Sequence, residues 1–207
     1  DLAREHSLNQ GNRWLAASRH AAATDADLWM IRTDDDGSNL VTNFTDLSAS
    51  WSTSEASLGM HFTSGKGLLA FTREFVTGTR RVRYHLHSRN DNLLQTTVNN
   101  LGDNTINAWR PDVASDLHPI GQNSLVVVYQ SEGTGAPFVD LPTSSISGCE
   151  VVLTGTGTAS LPFTIASSPA LDHARPTIAK VQLGASQVWT VAYQVIDNGL
   201  VAGGGHP

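Results

Sequence analysis

The densest acidic cluster of the chain is a short segment that could bind a hard cation. Asp34, Asp36 and Ser38 stand at alternate positions, next to Gly37 and Asn39. Calcium binds several oxygen atoms in a tight loop, and acidic residues around a glycine can supply them. The glutamate that an EF-hand needs at its twelfth position is missing, and Asp, Asn and Gly also favour an ordinary turn between strands. We therefore expect either a turn or a calcium site at Asp34, Asp36 and Ser38.

Histidines and arginines alternate along one predicted strand. His85 and His87 share a face, because side chains two positions apart on a strand point the same way. Two imidazoles at that spacing can hold zinc if a third ligand comes from elsewhere. Arg81 and Arg83 also share a face and could bind a carboxylate or a phosphate. Hydrogen-bonded histidines and a solvated basic face are the structural alternatives, and we name Arg81 and Arg83 as candidate contacts for an anionic ligand.

Familiar local signatures of catalysis are missing from the sequence. It contains no G-x-S-x-G nucleophile elbow and no H-E-x-x-H zinc helix. A phosphate-binding loop needs Ser or Thr after its lysine, but Gly67 follows Lys66. Cys149 is the only cysteine, so the chain cannot form an internal disulfide. No residue is therefore nominated as catalytic.

The composition favours a globular protein made of strands. Of the 207 residues, 40% are hydrophobic and 15% are charged, and Gly, Ser, Thr and Asn are abundant. This mixture is typical of many short strands joined by turns. The net charge of −6 argues against nucleic acid or an anionic membrane as a partner. No apolar run is long enough for a membrane helix, and a sequon at Asn43 could carry a glycan in a secreted protein.

Four five-residue segments of the chain share one apolar-to-polar profile. They begin at Leu15, Leu69, Val127 and Val191. A second recurring unit precedes each of them, centred on Ala3, Ala56, Ala114 and Ala179. Self-similarity at this spacing indicates stacked supersecondary units.

The clearest repeat contains four short predicted strands, at residues 108–114, 125–130, 138–141 and 150–154. Pro111 fits the first of them only near a strand start or on an edge. The repeat before it follows the same order, with strands at residues 67–73, 81–87 and 93–98 and then a turn at residues 99–102. Four short strands joined by turns form one blade of a β-propeller.

In the first part of the chain, Asp27-Leu28-Trp29-Met30 is followed by Asp36-Gly37-Ser38-Asn39-Leu40, and then by Trp51-Ser52 and Leu69-Ala70-Phe71. Over about 50 residues, this part of the chain resembles the repeats of TolB-like β-propellers. In that family a strand leads into an Asp-Gly turn, and a Trp-Ser pair opens the next blade. The later repeats resemble the Arg-Pro-x-Ile-Ala repeats of bacterial extracellular propellers, at residues 110–114 and 175–179. The resemblance implies a bacterial propeller fold but does not extend to the partners of TolB.

We therefore predict an all-β fold of four-stranded antiparallel propeller blades, with about three and a half repeats. The expected divisions are a partial blade at 1–48, blades at 49–107 and 108–173, and a partial blade at 174–207. Closed propellers have four to eight blades, so we expect a fragment of a larger propeller or a protomer completed by others. A last blade that has degenerated is the alternative. The same strand spacing also allows a β-sandwich or an open β-solenoid.

The leading functional hypothesis is a non-enzymatic binding or structural module of a secreted or bacterial cell-envelope protein, with a protein or glycan partner. It rests on the repeats, the scarcity of lysine and the absence of a local catalytic motif. A hydrolase or lyase with its site in the central funnel is the alternative, because several blades can build such a site without a local motif. Self-assembly through open edge strands is a third hypothesis. We expect no cofactor, unless Asp34, Asp36 and Ser38 bind calcium.

Overall fold

The protein is described by a computed structural model. It describes residues 2–5, 13–21, 26–34, 36–46, 50–61, 64–88, 99–102, 104–115, 123–132, 144–168, 171–179 and 188–197. All regular elements within these ranges are β-strands, and they pair in antiparallel fashion, so the prediction of an all-β antiparallel fold is confirmed. Among the same residues, no helix is long and apolar enough to cross a membrane.

The strands follow one another along the chain as a series of sheets. Within the described ranges they are β1 (Leu2–Glu5), β2 (Arg13–Ala21), β3 (Ala26–Asp34), β4 (Val41–Asp46), β5 (Trp51–Met60), β6 (Gly67–Phe75), β7 (Arg80–His87), β8 (Asn99–Asn100), β9 (Ala108–Val113), β10 (Ser124–Ser131), β11 (Ser145–Val152), β12 (Thr158–Ala159), β13 (Phe163–Ala166), β14 (Leu171–Ile178) and β15 (Val191–Asp197).

Each sheet is a meander in which a strand pairs with the next strand in the sequence. Blade 1 is β1–β2–β3–β4, and blade 2 is β5–β6–β7–β8. Blade 3 is β9–β10–β11–β12, with β13 also paired to β11, and blade 4 is β14–β15. Consecutive four-stranded meanders are the blades of a propeller, as the sequence predicted.

Two expectations about strand positions are wrong. The turn expected at residues 99–102 contains β8, because Asn99 and Asn100 pair with Tyr84 and Arg83. The strand expected at residues 150–154 as the fourth of its blade is the end of β11, which is the third strand. The glycine-rich turn that follows leads to β12 and therefore lies within the blade. The strands expected at 93–98 and 138–141 lie outside the described residues.

Strand register tests the internal repeats position by position. In all four blades, the first residue of the five-residue segment pairs with an equivalent residue of the blade's first strand. These pairs are Leu15 with Ala3, Leu69 with Leu58, Val127 with Val113, and Val191 with Ile178. The five-residue segments are therefore equivalent, as predicted.

The second recurring unit aligns differently from the prediction. Ala114 and Ala179 each follow the equivalent residue directly, and in blade 2 that place is taken by Gly59. In blade 1, Ala3 lies one residue before this position, and in blade 2, Ala56 lies three residues before Gly59. The sequence alignment of the first strands was therefore wrong in blades 1 and 2.

Hydrophobic clusters fill the spaces between neighbouring blades. The cluster between blades 1 and 2 joins Leu28 and Met30 to the fully buried Leu69 and Phe71. Between blades 2 and 3, the larger cluster includes Leu68, Ala70, Val82, Tyr84, Leu86, Val113, Leu125, Val127, Tyr129 and Cys149. Burying one such large side chain contributes about 1.5–3 kcal/mol. This burial makes the boundaries between blades the core of the fold.

The outer strand of blade 4 differs from its equivalents in exposure. Phe71 and Tyr129 are buried, whereas the equivalent Tyr193 is 39% exposed and Val195 is 53% exposed. In the described part of the chain, β15 pairs with β14 only. Self-assembly through an edge strand stays a prediction.

Candidate functional site

The first strands of blades 2, 3 and 4 each contain a β-bulge at the same place. The strand pairing is interrupted between Ser54 and Ser57, between Trp109 and Asp112, and between Ala174 and Thr177. A bulge inserts one extra residue, bends the strand and redirects its side chains. Three consecutive blades therefore turn equivalent side chains in the same direction.

One residue in each bulge has a left-handed backbone. The φ angles of Glu55, Arg110 and Arg175 are 52°, 53° and 52°. Such a conformation costs a residue other than glycine roughly 1–3 kcal/mol, so the surrounding contacts must hold it. Pro111 and Pro176 follow two of these residues, and proline is tolerated at a bulge because no ladder hydrogen bond needs its missing N–H. The Arg-Pro repeats noted in the sequence are thus the bulges of blades 3 and 4.

In blades 3 and 4, side chains of the preceding blade bind the backbone of the bulge. The N–H of Arg110 donates to Glu55 Oε2 at 2.9 Å and to Thr72 Oγ1 at 3.2 Å. The N–H of Arg175 donates to Gln130 Oε1 at 3.2 Å. Thr72 and Gln130 are both the fourth residue of their five-residue segments. The repeat therefore places an acceptor opposite the bulge of the next blade.

Asp112 joins the bulges of three blades. Its Oδ1 accepts a hydrogen bond from Ser57 Oγ at 2.7 Å, and its Oδ2 accepts one from Thr177 Oγ1 at 2.8 Å. The N–H of Ile178 also donates to Oδ2, at 2.8 Å. Ser57, Asp112 and Thr177 are equivalent residues of consecutive first strands. One carboxylate thus accepts hydrogen bonds from the blades on both sides.

A cleft of about 390 Å³ opens over the bulges. We call it the axial cleft, because the first strands of propeller blades surround the central channel. Its lining residues are Glu55, Ala56, Ser57, Arg110, Pro111, Asp112, Pro176 and Thr177. Two carboxylates, a guanidinium and two hydroxyls therefore meet in one concave site drawn from three blades.

The charged side chains of the axial cleft contact each other and their polar neighbours through an ion pair and hydrogen bonds. Glu55 Oε1 lies 3.7 Å from Arg110 Nε, and Glu55 Oε2 accepts a hydrogen bond from Thr72 Oγ1 at 2.8 Å. Arg110 Nη1 donates to Gln130 Oε1 at 3.0 Å. These contacts orient the groups before any ligand arrives, as binding sites require.

The acidic cluster predicted for calcium is the turn between β3 and β4. Asp36 Oδ1 accepts a hydrogen bond from the N–H of Ser38 at 2.9 Å, and Asn39 Nδ2 donates to Asp34 Oδ2 at 2.6 Å. Both carboxylates thus bind groups of their own turn, outside the axial cleft. No group of three or more His, Cys, Asp or Glu that could hold a metal occurs among the residues that the structure describes. Calcium at Asp34, Asp36 and Ser38 stays a prediction.

The two predicted anion-binding arginines lie in different surroundings. Arg81 Nη1 donates to the carbonyl oxygen of Ile106 at 2.9 Å and to Asn107 Oδ1 at 3.2 Å. The guanidinium of Arg83 lies 5.8 Å from the ring centroid of Phe75. Both side chains are half-buried, and neither lines the axial cleft.

His85 and His87 are buried side by side, with their ring centroids 6.2 Å apart. The ring of His85 packs edge to face on Phe71, at a centroid distance of 5.4 Å. Burial, and then the positive charges of His87 and Arg73, lower the pKa of His85 to about 3. The structure confirms that the two imidazoles are neighbours, and zinc binding stays a prediction.

The sequence alone did not identify the residues of the axial cleft. Its first strands lie more than 50 residues apart along the chain, so no local motif joins them. One signal was present, because the Arg-Pro repeats fall in the bulges at Arg110 and Arg175. The bulge residue of blade 2 was not recognised, because the alignment on Ala56 did not match Glu55 with Arg110 and Arg175, its structural equivalents.

Comparisons with known proteins do not assign the chain to a family. No family model matches the sequence, and no curated protein matches it. Among solved structures, the chain is similar to an endo-arabinase from Bacteroides thetaiotaomicron VPI-5482. The two share 12% sequence identity with a TM-score of 0.45, over 92% of this chain and 68% of that chain. The description of the blades therefore rests on the strand pairing of this chain.

Proposed function

We propose that this chain is a non-enzymatic binding module of a secreted or cell-envelope protein, and that its axial cleft binds a neutral glycan. The observation that carries the proposal is the convergence of the bulges of three blades on one cleft. A ligand pocket places a few polar groups in a concave site, and the cleft volume is within the range for small ligands. Sugars expose many hydroxyl groups in a small volume, and they need donors and acceptors close together.

The lining supplies both kinds of hydrogen-bonding group. Glu55 and Asp112 accept hydrogen bonds, Arg110 donates them, and Ser57 and Thr177 can do either. Contacts between the blades hold these groups in place, so a ligand would bind without ordering them first.

The state of the carboxylates favours binding over catalysis. Both oxygens of Asp112 already accept hydrogen bonds from Ser57 and Thr177, and Glu55 Oε2 accepts hydrogen bonds from two donors. A general acid or nucleophile must offer an oxygen to the reacting bond. Asp112 is therefore a fixed part of the cleft, and Glu55 Oε1, 3.7 Å from Arg110 Nε, is the carboxylate oxygen that would accept a hydrogen bond from a sugar hydroxyl.

A glycan hydrolase is the second candidate. Glu55 and Asp112 come from neighbouring blades and line the same cleft, and most glycoside hydrolases use a pair of carboxylates. The bacterial propeller repeats to which the chain has a resemblance fit either candidate, because a fold does not determine a function.

Binding and turnover can be measured on the same protein. We would screen neutral polysaccharides by affinity electrophoresis and, in parallel, for release of reducing ends. We expect at least one neutral glycan to slow the migration of the protein in the gel, without release of reducing ends from that glycan. Glu55→Gln should weaken its binding about tenfold, because the acceptor loses its charge. The matched control Glu74→Gln, whose carboxylate pairs with Arg80 outside the cleft, should bind like the unchanged protein.

Three results would contradict the binding proposal. If no neutral glycan binds, or if Glu55→Gln binds as well as Glu74→Gln, the axial cleft is not the site. If reducing ends are released and Glu55→Gln or Asp112→Asn abolishes this release, the hydrolase candidate replaces the binding module.

A further inference from the structure

Two buried polar residues contact the side chains of the axial cleft without lining it. Thr72 of β6 and Gln130 of β10 are both fully buried, and both are the fourth residue of their five-residue segments. Neither belongs to the lining of the cleft. A buried polar side chain needs hydrogen-bond partners, and the partners of these two residues indicate what the position does.

Each of the two side chains makes the same pair of contacts. Thr72 Oγ1 donates to Glu55 Oε2 at 2.8 Å and accepts from the N–H of Arg110 at 3.2 Å. Gln130 Oε1 accepts from Arg110 Nη1 at 3.0 Å and from the N–H of Arg175 at 3.2 Å. In both blades, the fourth residue therefore binds the side chain of its own bulge residue and the backbone of the next bulge residue.

The chemical type of each fourth residue matches the charge that it binds. A carboxylate only accepts hydrogen bonds, and the hydroxyl of Thr72 supplies a donor to Glu55. A guanidinium only donates, and the amide oxygen of Gln130 supplies an acceptor to Arg110. The same arrangement thus occurs in two consecutive blades with donor and acceptor exchanged, which argues against a chance contact.

The hydrogen bonds of Gln130 allow its amide a single orientation. Nε2 donates to Ser144 Oγ at 3.2 Å, and that hydroxyl donates its only proton to the carbonyl oxygen of His173 at 2.9 Å. Ser144 can therefore only accept from Gln130, whereas Arg110 and the N–H of Arg175 can only donate to it. Turning the amide over would place donors opposite donors, so its oxygen stays directed at Arg110.

Arg110 gains most from such support, because its side chain is 30% exposed. An exposed arginine has many rotamers, and it loses that freedom when a ligand binds to it. Gln130 holds Nη1, and on the other side Nε lies 3.7 Å from Glu55 Oε1. Glu55 is held in turn by Thr72. Both members of this ion pair therefore have a fixed orientation before a ligand arrives.

We propose that Gln130 is a positioning residue of the axial cleft. Without contacting the ligand, it holds the Arg110 guanidinium in the orientation in which that group donates to a bound glycan. The ligand in this statement rests on the neutral glycan proposed above. The hold on Arg110 is a property of the protein without ligand, so it can be measured even if no glycan binds.

The first measurement follows rotation of the Arg110 guanidinium in the ligand-free chain by heteronuclear NMR, with the signal assigned by its loss in Arg110→Lys. Gln130→Met keeps a side chain of similar length but removes the acceptor. We expect it to speed the rotation about tenfold, which corresponds to the loss of one hydrogen bond to a charged group. Gln130→Glu keeps an acceptor oxygen and should restore slow rotation, although a buried carboxylate lowers the stability of the fold.

The order of these two variants distinguishes positioning from a purely structural role. If Gln130 only stabilised the fold, rotation of Arg110 would be faster in the less stable variant, Gln130→Glu. Ser131→Ala is the matched control. Ser131 is the next residue of β10, is buried, and has its hydroxyl 2.9 Å from that of Ser147 on the other face of the strand. This variant should not change the rotation.

The second measurement is the affinity for the neutral glycan that the unchanged protein binds. Gln130→Met should weaken it about tenfold, because the ligand must then order Arg110. Gln130→Glu and Ser131→Ala should bind about as tightly as the unchanged protein. Urea unfolding of each variant shows that it is folded under the conditions of the assay.

The two measurements separate failure of this proposal from failure of the function proposed for the cleft. If no neutral glycan binds but Gln130→Met speeds the rotation of Arg110, the ligand is wrong and the positioning by Gln130 is supported. Unchanged rotation in Gln130→Met, or equal acceleration in Ser131→Ala, would overturn the positioning role. So would a Gln130→Met protein that binds the glycan as tightly as the unchanged protein.

Discussion

Glu55 accepts a hydrogen bond from the backbone N–H of Arg110, at 2.9 Å, and both residues have the same left-handed backbone. They are equivalent residues of neighbouring blades, so the side chain of the strained residue in one blade binds the backbone of the strained residue in the next. The N–H of Arg175 is held by Gln130 in a related way. The strain in the first strands is thus offset by hydrogen bonds across the blade boundaries, and these bonds also shape the axial cleft.

The left-handed backbone at Arg175 predicts an unusual order of stability. Glycine normally destabilises a strand relative to alanine, but it adopts a positive φ without the steric cost that alanine has. Because both substitutions remove the same exposed side chain, their comparison isolates the backbone. We expect Arg175→Gly to have a free energy of unfolding about 1 kcal/mol higher than Arg175→Ala, as measured by urea denaturation. At Ser52, which has no positive φ, alanine should be the more stable of the two, and the same order at both sites would contradict the argument.

Among the polar residues of the axial cleft, Asp112 should be the one whose replacement lowers the free energy of unfolding most. Replacement by alanine leaves the donors of Ser57, Thr177 and Ile178 without their common acceptor. We expect the free energy of unfolding to fall by about 3 kcal/mol, the usual scale for hydrogen bonds to a charged group and for donors left unsatisfied. Asp36→Ala, in the exposed turn after β3, is the control and should cost less than about 1 kcal/mol. Equal losses in the two variants would mean that Asp112 does not join the blades.

The sequence predicted the local units of this fold but not the relation between them. Register confirms the five-residue segments at Leu15, Leu69, Val127 and Val191, because the apolar-to-polar profile of one strand is a local property of the sequence. The first strands aligned less well, because the alignment assumed a nearly constant distance to the next strand, whereas Leu58 precedes its partner Leu69 by 11 residues and Val113 precedes its partner Val127 by 14. Glu55 was missed for this reason.

The residues of the candidate site were even harder to predict from the sequence than the fold. The link from Ser57 to Asp112 to Thr177 spans blades that are more than 50 residues apart, and only the packing of the blades brings these side chains together. The acidic residues that are close in sequence, Asp34 and Asp36, instead bind groups of their own turn. Proximity along the chain was therefore a poor guide to the site.

His85 should make stability depend on pH below neutrality. Its pKa is lowered to about 3 in the folded protein, first by burial and then by His87 and Arg73, whereas its ordinary value is 6.5. The unfolded chain binds a proton at His85 as pH falls through 6.5, but the folded chain does not. The stabilising effect of a neutral His85 is thus complete above about pH 6.5 and is lost progressively toward pH 3, at up to roughly 1.4 kcal/mol for each pH unit.

The variant His85→Met tests this dependence, because it removes the titrating group and keeps a side chain of similar volume. We would measure the free energy of unfolding of both proteins between pH 7.5 and pH 4.5. The unchanged protein should lose more stability over this range than His85→Met does. Parallel curves for the two proteins would show that His85 does not resist protonation in the fold.

Gly59 lies where blades 2 and 3 approach closely. It is the equivalent of Ala114 and Ala179, yet a Cβ atom at Gly59 would clash with the carbonyl oxygen of Ala114 and lie 2.6 Å from Val113 Cγ1. The first of these contacts is with backbone, which cannot move aside as a flexible side chain can. We expect Gly59→Ala to lower the free energy of unfolding by about 3 kcal/mol, at the upper end of the cost of overpacking.

A matched substitution tests whether the clash or the loss of glycine flexibility decides the result. Gly37→Ala meets no atom within 4 Å, but it has a φ of 81° and should therefore cost only about 1–2 kcal/mol through the backbone. Gly59 has an ordinary φ, so its whole cost comes from the close approach of β9. Denaturant unfolding of both variants should place Gly59→Ala below Gly37→Ala in stability. The opposite order would mean that the two blades can separate enough to admit a methyl group, and that the boundary between them is less tightly packed than the contacts of Gly59 indicate.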